Sequence, residues 1–345
     1  MKENPKLKWI EEAISSRFLT HLYLESGNLT ETSGRFSYFR ASKDSEENIF
    51  DLASLTKALV TTPLIYQCVE DKLLNWDTRI GDIFPKTFPS LISNARIDRL
   101  LAHNAGLPAW RNFWINALNP DLNYREARKH ALELVKDVLN RVDLSEEKQE
   151  VYSDLGFILL GCVLEEITGN PLETLFTSLQ SSVSNSNLHF PGTKLDQSNY
   201  IPTSFCKIRE RVLKGEVHDE NCGALGGVAG HAGIFGTGKD VSCWLRALSG
   251  TEIGQKIIND NSKSPPGHLK GWRRADDYSS EVFGSGFGIG HMGFTGTAFW
   301  IDPRNLNYGI VLTNRICSGR VDARIKEFRR TAFSYLQSIV DESSP

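Results

Sequence analysis

Ser54-Leu55-Thr56-Lys57 sets a hydroxyl and an amine three residues apart, between the short apolar entry Asn48-Ile49-Phe50-Asp51-Leu52-Ala53 and an apolar run from Ala58 through Ile65. On a helix that spacing puts both groups on one face. A serine so placed can be a nucleophile if the lysine holds or removes its proton, because an unassisted serine hydroxyl attacks carbonyls poorly. The same four-residue pattern recurs at Ser145-Glu146-Glu147-Lys148, in a charged run, and at Ser204-Phe205-Cys206-Lys207, which follows Pro202 with no apolar helix behind it. Only Ser54 has a buried helical setting. Two further segments carry reactive side chains. Tyr152-Ser153-Asp154 follows the polar stretch from Asp143 to Glu150 and opens an apolar helix, with Leu155, Ile158, Leu159, Cys162, Val163 and Ile167 near one face. His291-Met292-Gly293-Phe294-Thr295-Gly296-Thr297 precedes the strand-like run Ala298-Phe299-Trp300-Ile301 and the turn Asp302-Pro303.

Taken in order, the three segments resemble the S-x-x-K, Y-x-N and K-T-G motifs of the serine β-lactamase and penicillin-binding-protein superfamily. The resemblance is strongest to its class C β-lactamase-like branch, which also holds esterases, D-amino-acid peptidases and muramyl-peptide amidases. Leu100-Leu101-Ala102-His103-Asn104-Ala105-Gly106-Leu107-Pro108 and Val217-His218-Asp219-Glu220-Asn221, continuing into Gly226 to Gly233, support it, and it runs from about Phe18 to Phe333. It implies a hydrolase that forms an acyl-enzyme on Ser54 with Lys57 and Tyr152 as partners. It also implies an oxyanion hole made by the backbone N–H groups of Ser54 and Phe294, and Gly293 and Gly296 beside Phe294 would let substrate backbone approach closely. Lys57 and Tyr152, with reference pKa values near ~10.4 and ~10, are both protonated in neutral water. A cation about 4 Å from a developing phenolate interacts by about 4 kcal/mol at an effective dielectric of ~20, or roughly three pK units. A charged Lys57 could therefore make Tyr152 the general base. A neutral Lys57 as base is the mirror assignment, and the sequence leaves both open.

Two residues depart from the motifs. Asp154 stands where the amide of Y-x-N would be and, when ionised, only accepts hydrogen bonds; it can pair with Lys57, receive a substrate N–H, or cap the following helix. His291 stands where K-T-G has its lysine. With a reference pKa of ~6.5 it is about one-quarter cationic at pH 7, a weak anchor for a carboxylate, and a candidate hydrogen-bond partner of Tyr152. Both departures argue against a dedicated β-lactamase. Among the remaining histidines, His231 is a candidate cleft residue and His103 a structural loop residue. No H-x-x-x-H or H-E-x-x-H spacing joins them, so neither metal nor cofactor is predicted. Trp110, Trp114 and Trp272 are candidates for a substrate wall, with core packing as the ordinary alternative.

The 345 residues carry a net charge of −3 and no basic run, which gives no electrostatic basis for binding nucleic acid. No stretch reads as a signal peptide or is apolar enough to span a bilayer, so a cytoplasmic location is expected. The six cysteines form no C-x-x-C pair and are read as free thiols, with Cys68 and Cys162 in helix cores. Strand-like alternation at 20–24, 35–40, 298–301 and 308–313, and helical periodicity at 6–18 and 321–339, predict an α+β fold. In it an antiparallel sheet flanked by terminal helices is built from 1–85 and 225–345, with 86–224 as a mostly helical insertion and the site in the cleft between them. The expected function is hydrolysis of an amide or ester by a serine enzyme, possible substrates being small molecules or muropeptides. A carboxylesterase, a D-amino-acid peptidase or weak β-lactamase, and a penicillin-binding sensor without turnover are the alternatives.

Overall fold

The computed structural model describes residues 7–41, 48–113, 131–141, 150–192, 197–265, 269–275 and 283–342. Its centre is a six-stranded antiparallel sheet drawn from both ends of the chain. The strands are β1 (His21–Asn28), β2 (Phe36–Ala41), β5 (Arg273–Arg274), β6 (Ile289–Met292), β7 (Ala298–Ile301) and β8 (Asn307–Thr313), in the order β2-β1-β8-β7-β6-β5. A separate two-residue ladder joins β3 (Phe50–Asp51) to β4 (Phe235–Gly236).

Alternation along the strands divides their side chains between two cores. Leu22, Leu24, Ala298, Trp300 and Val311 pack with Ile10, Phe328, Ala332 and Leu336 of the terminal helices α1 (Lys8–Ser15) and α7 (Arg324–Glu342). Tyr23, Phe299, Ile301, Ile310 and Leu312 face the other way, into the large core that holds α2 (Thr62–Glu70), α3 (Asp154–Thr168), α4 (Leu172–Val183), α5 (Gly238–Ser249) and α6 (Glu252–Lys263). Covered on both faces, β7 and β8 are buried along their whole length, which is why their sequences read as nearly unbroken apolar runs.

Several boundaries differ from expectation. The first helix spans Lys8–Ser15, and the last begins at Arg324, leaving Val321 94% exposed. Helix α3 has no polar face over its first three turns: every residue from Asp154 to Leu164 is buried, so it is a central helix rather than an amphipathic one. It ends where Gly169 takes φ +67°, the left-handed stop that a β-carbon would disfavour. Ser204 belongs to an irregular segment and its hydroxyl meets His218 Nε2 at 3.0 Å; Ser145, Lys148 and Trp114 lie outside the described residues. All six cysteines are free, and Cys68 and Cys162 are buried. Among the described residues no single helix is long and apolar enough to cross a membrane.

Candidate active site

The chain leaves β3 through a sharp turn that presents Ser54. Ala53 adopts φ +49°, unusual for a residue with a β-carbon, and the carboxylate of Asp51 holds it there by accepting from Ala53 N–H at 2.9 Å and His218 N–H at 2.7 Å. Burial pushes Asp51 up to about 6, against those two donors. The threonine hydroxyls of the third motif clamp the same turn: Thr295 donates to Asp51 O at 2.7 Å and Thr297 to Leu52 O at 3.0 Å. Ser54 thus opens the helical segment half-buried. The segment then runs as a π-helical turn over Lys57–Thr61 before the α-helix Thr62–Glu70. The Thr62 hydroxyl donates to the carbonyl of Lys57 at 2.8 Å. Such single π turns inside helices recur at functional sites.

Lys57 is fully buried. Its ammonium donates to Ser54 Oγ at 3.0 Å and to the carbonyl of His231 at 3.2 Å, lies 2.6 Å from Asp154 Oδ1, and sits 5.0 Å from the centroid of the Tyr152 ring. Burial acts to lower its pKa, but Asp154 and then Tyr152 outweigh that and hold it above the ordinary lysine value. At neutral pH Lys57 is therefore an ammonium. Asp154 is the first residue of α3, with Ser153 at the cap position, so its carboxylate serves the lysine instead of the helix end.

Tyr152 is half-buried and ringed by cations and imidazoles. His103 lies 4.6 Å away between ring centroids, His291 6.0 Å, and the Arg273 guanidinium 5.1 Å from the Tyr152 centroid. His103 has the structural role expected of it: its Nδ1 accepts the Ser153 N–H at 3.1 Å and fixes the turn that presents Tyr152. His291 departs from expectation. It is 1% exposed, Nδ1 donates to Met292 O at 2.8 Å, and burial followed by Lys57 and Arg273 pushes its pKa well below 6.5. Its proton sits on Nδ1, so Nε2 is a buried lone pair without a donor among the described residues. His291 is a neutral acceptor and not a partly charged carboxylate anchor.

His231 also differs from expectation: it is fully buried and lines no cleft. Its carbonyl receives Lys57 while its Nε2 meets Asp219 Oδ1 at 2.9 Å. Burial would raise the Asp219 pKa, but the His231 ring, the Cys222 N–H and Lys57 lower it instead. Ligand atoms of Asp154, Asp219 and His231 lie within 4.8 Å of one another. The positive charge such a set would draw is already supplied by Lys57, 2.6 Å from Asp154.

Gly293 and Phe294 turn the chain between β6 and β7, one strand in from the sheet edge, since β5 pairs outside β6. A β-carbon on Gly293 would fall 2.1 Å from Thr297 Oγ1 and 2.6 Å from Leu52 O, so only glycine lets this turn close on the serine segment. Two arginines brace it: Arg315 donates to Phe294 O at 2.7 Å, and Arg329 to Gly293 O at 2.7 Å and Thr297 O at 3.0 Å. Among the described residues neither the Ser54 N–H nor the Phe294 N–H meets an acceptor. Of the tryptophans, Trp272 is core, donating to Ala58 O at 3.2 Å, whereas Trp110 stands at the rim beside Arg320. Asp51, Asp219, Arg273, Arg315 and Arg329 were not anticipated. Asp51 and Asp219 lie in stretches already singled out, whereas the three arginines carry no local signal, and each of the five acts across a fold contact.

Comparison with known proteins gives the chain a family. The beta-lactamase family profile covers residues 33–330. The N-acetylmuramyl-L-alanine amidase of Bacillus subtilis is 30% identical over 80% of this chain and 70% of its own, and a putative D-alanyl-D-alanine carboxypeptidase of Escherichia coli is 28% identical over 77% and 69%. The D-amino acid amidase of Ochrobactrum anthropi superimposes with a TM-score of 0.72 over 98% of this chain and 99% of its own; at 16% identity that likeness speaks for the fold alone. With a family profile over most of its length and a relative 30% identical across 80% of it, the chain belongs to the beta-lactamase family of serine hydrolases.

Proposed function

We propose that this hydrolase cleaves the amide bond between an N-acetylmuramyl group and L-alanine in peptidoglycan-derived muropeptides, with Ser54 as nucleophile. The observation that carries the mechanism is the Lys57 ammonium bonded to Ser54 and paired with Asp154. A lysine held charged cannot take the serine proton, which assigns that task to Tyr152. Ser54 Oγ attacks the carbonyl carbon as the Tyr152 phenolate takes its proton and becomes the neutral phenol, while the Lys57 ammonium stabilises the phenolate before the transfer and the charge developing on Oγ during it. The Ser54 and Phe294 N–H groups receive the oxyanion. Collapse expels the amine with a proton returned by Tyr152, and water then releases the acyl group by the same steps in reverse roles. The muropeptide assignment is supported by the two relatives whose names both concern peptidoglycan peptides. The neutral His291 removes the cation that a penicillin carboxylate would require, and so disfavours β-lactams. Six free thiols favour a reducing compartment.

Incubation with N-acetylmuramyl-L-Ala-D-Glu, a D-Ala-D-Ala peptide and p-nitrophenyl esters, with product masses recorded, tests the assignment. N-acetylmuramic acid and free L-Ala-D-Glu are the expected products, released repeatedly and lost in Ser54→Ala. A stoichiometric burst that then stops would identify a sensor. Release of D-alanine alone would identify a carboxypeptidase. A fluorophosphonate adduct at any serine other than Ser54 would remove the mechanism.

A further inference from the structure

Phe294 carries the second oxyanion donor on its backbone, yet the residue is 42% exposed while His218 and Glu220 beside it are buried. A side chain at that residue lies next to the carbonyl under attack. The ring stacks on His218, with centroids 5.8 Å apart and planes inclined by 27°. The Arg320 guanidinium lies 5.2 Å from the Phe294 centroid and 5.3 Å from that of Trp110, so one planar cation touches two aromatic rings brought together from distant parts of the chain. Arg320 is itself fixed by an ion pair with Glu220, which is 7% exposed. Trp110 is placed by the neighbouring backbone: Asn221 donates to Arg111 O at 2.8 Å and accepts from Phe113 N–H at 3.0 Å.

Phe294 keeps part of its surface exposed between His218, stacked on its ring, and the Arg315 and Arg320 guanidiniums, 4.8 and 5.2 Å from its centroid; aromatic surface set among planar charged groups suits an amphipathic ring better than an alkyl chain. A pyranose offers C–H groups to the exposed aromatic surface of Phe294 and Trp110, and hydroxyl or acetamido groups to the Arg320 N–H groups other than the one given to Glu220. A fatty acyl group here would strip water from Arg320 and Glu220 without replacing it. We infer that Phe294, Trp110 and Arg320 form a saccharide platform beside the oxyanion turn, which seats the acetamido sugar of the substrate and orients its lactyl carbonyl toward Ser54. The inference rests on the muropeptide assignment for its substrate, but it concerns a surface that the serine chemistry does not use.

The test compares N-acetylmuramyl-L-Ala-D-Glu with D-lactyl-L-Ala-D-Glu, which has the same scissile bond and no sugar. It adds isothermal titration of N-acetylmuramic acid into the same proteins. The wild type is expected to prefer the sugar-bearing substrate by about tenfold or more in kcat/KM, a factor ordinary for one well-placed substrate group. In Trp110→Ala and Phe294→Leu, both of which retain the backbone N–H, the ratio should fall below about threefold and sugar binding should weaken in parallel. Trp110→Phe and Phe294→Tyr should keep the ratio, which separates loss of an aromatic face from misfolding. A large ratio unchanged in the alanine and leucine variants would overturn the platform, as would a wild-type ratio near one with no sugar binding, although turnover of the lactyl dipeptide would then leave the amidase assignment standing. If no muropeptide is cleaved but the sugar binds the wild type and not the variants, the platform stands and the proposed activity falls.

Discussion

Replacing Asp154 by asparagine restores the amide of the Y-x-N motif but removes the negative charge 2.6 Å from a lysine with no exposure to solvent. At an effective dielectric of ~20 the direct attraction over that distance is about 6 kcal/mol, and breaking a buried pair by removing one partner costs about 3–5 kcal/mol because the other charge stays buried. With an unfolding entropy near 2.1 cal/mol/K per residue, that loss corresponds to a Tm decrease of roughly 4–7 °C for a chain this long. The pH dependence gives a sharper criterion. A lysine whose pKa is raised on folding contributes stability that is fully present below its unfolded value near ~10.4 and is lost as pH rises through the folded value. In the variant the buried lysine loses its largest source of attraction and its pKa falls, so the unfolded chain binds the extra proton and the variant gains relative stability as pH rises. The gap in Tm between the two proteins should therefore be widest near pH 7 and narrow above about pH 10. Scanning calorimetry at pH 7, 9 and 10.5 measures it. The double change Lys57→Met with Asp154→Leu should recover most of the lost stability while abolishing turnover. A Tm within 1 °C of wild type (under roughly 1 kcal/mol on the same scale), or a gap that widens with pH, would refute the buried ion pair as the origin of the lysine's charge.

Tyr152→Phe should lower kcat by about 10²- to 10⁴-fold with little change in KM, and a loss under about threefold in single-turnover acylation would return the role of base to Lys57. His103 and His291 are neutral when folded, so their contribution is complete above pH ~6.5 and is lost as pH falls below it, by up to about 1.4 kcal/mol per pH unit for each. Urea midpoints between pH 7 and pH 5 should fall accordingly, and a flat profile would contradict the burial of both rings. Gly293→Ala drives a methyl into Thr297 Oγ1 and the Leu52 carbonyl; turnover should fall at least about a hundredfold, as for loss of one oxyanion donor, with the fluorophosphonate label on Ser54 slowed in step. Equal rates for wild type and variant would show that this turn does not set the oxyanion site.

Much of the site was legible in the sequence because its three motifs sit at the starts and ends of regular elements, where spacing fixes direction. Ser54 and Lys57 share a face because they are three apart at the head of one helix, and Tyr152 precedes a helix whose apolar content guarantees burial. The sheet assembled from both chain ends was likewise readable, since strand alternation and terminal-helix periodicity are local patterns. Family membership followed from the order of the motifs.

What the sequence could not carry are the quantities set by distance between remote residues. That Lys57 stays charged depends on Asp154 and the His231 carbonyl reaching it from segments about a hundred and more residues away. His291 looked like a partly charged anchor because its reference pKa is near neutrality; burial beside Lys57 and Arg273 makes it a neutral acceptor, a change no local pattern encodes. His231 looked like a cleft residue because glycine and alanine surround it, yet those small neighbours allow the loop to pack inside, where its ring meets Asp219. Residue types and spacing determined which groups can react, because those are properties of single elements. The fold alone decided which of them are charged and which are accessible, because desolvation and Coulomb energy depend on every atom within a few ångströms, whatever its place in the chain.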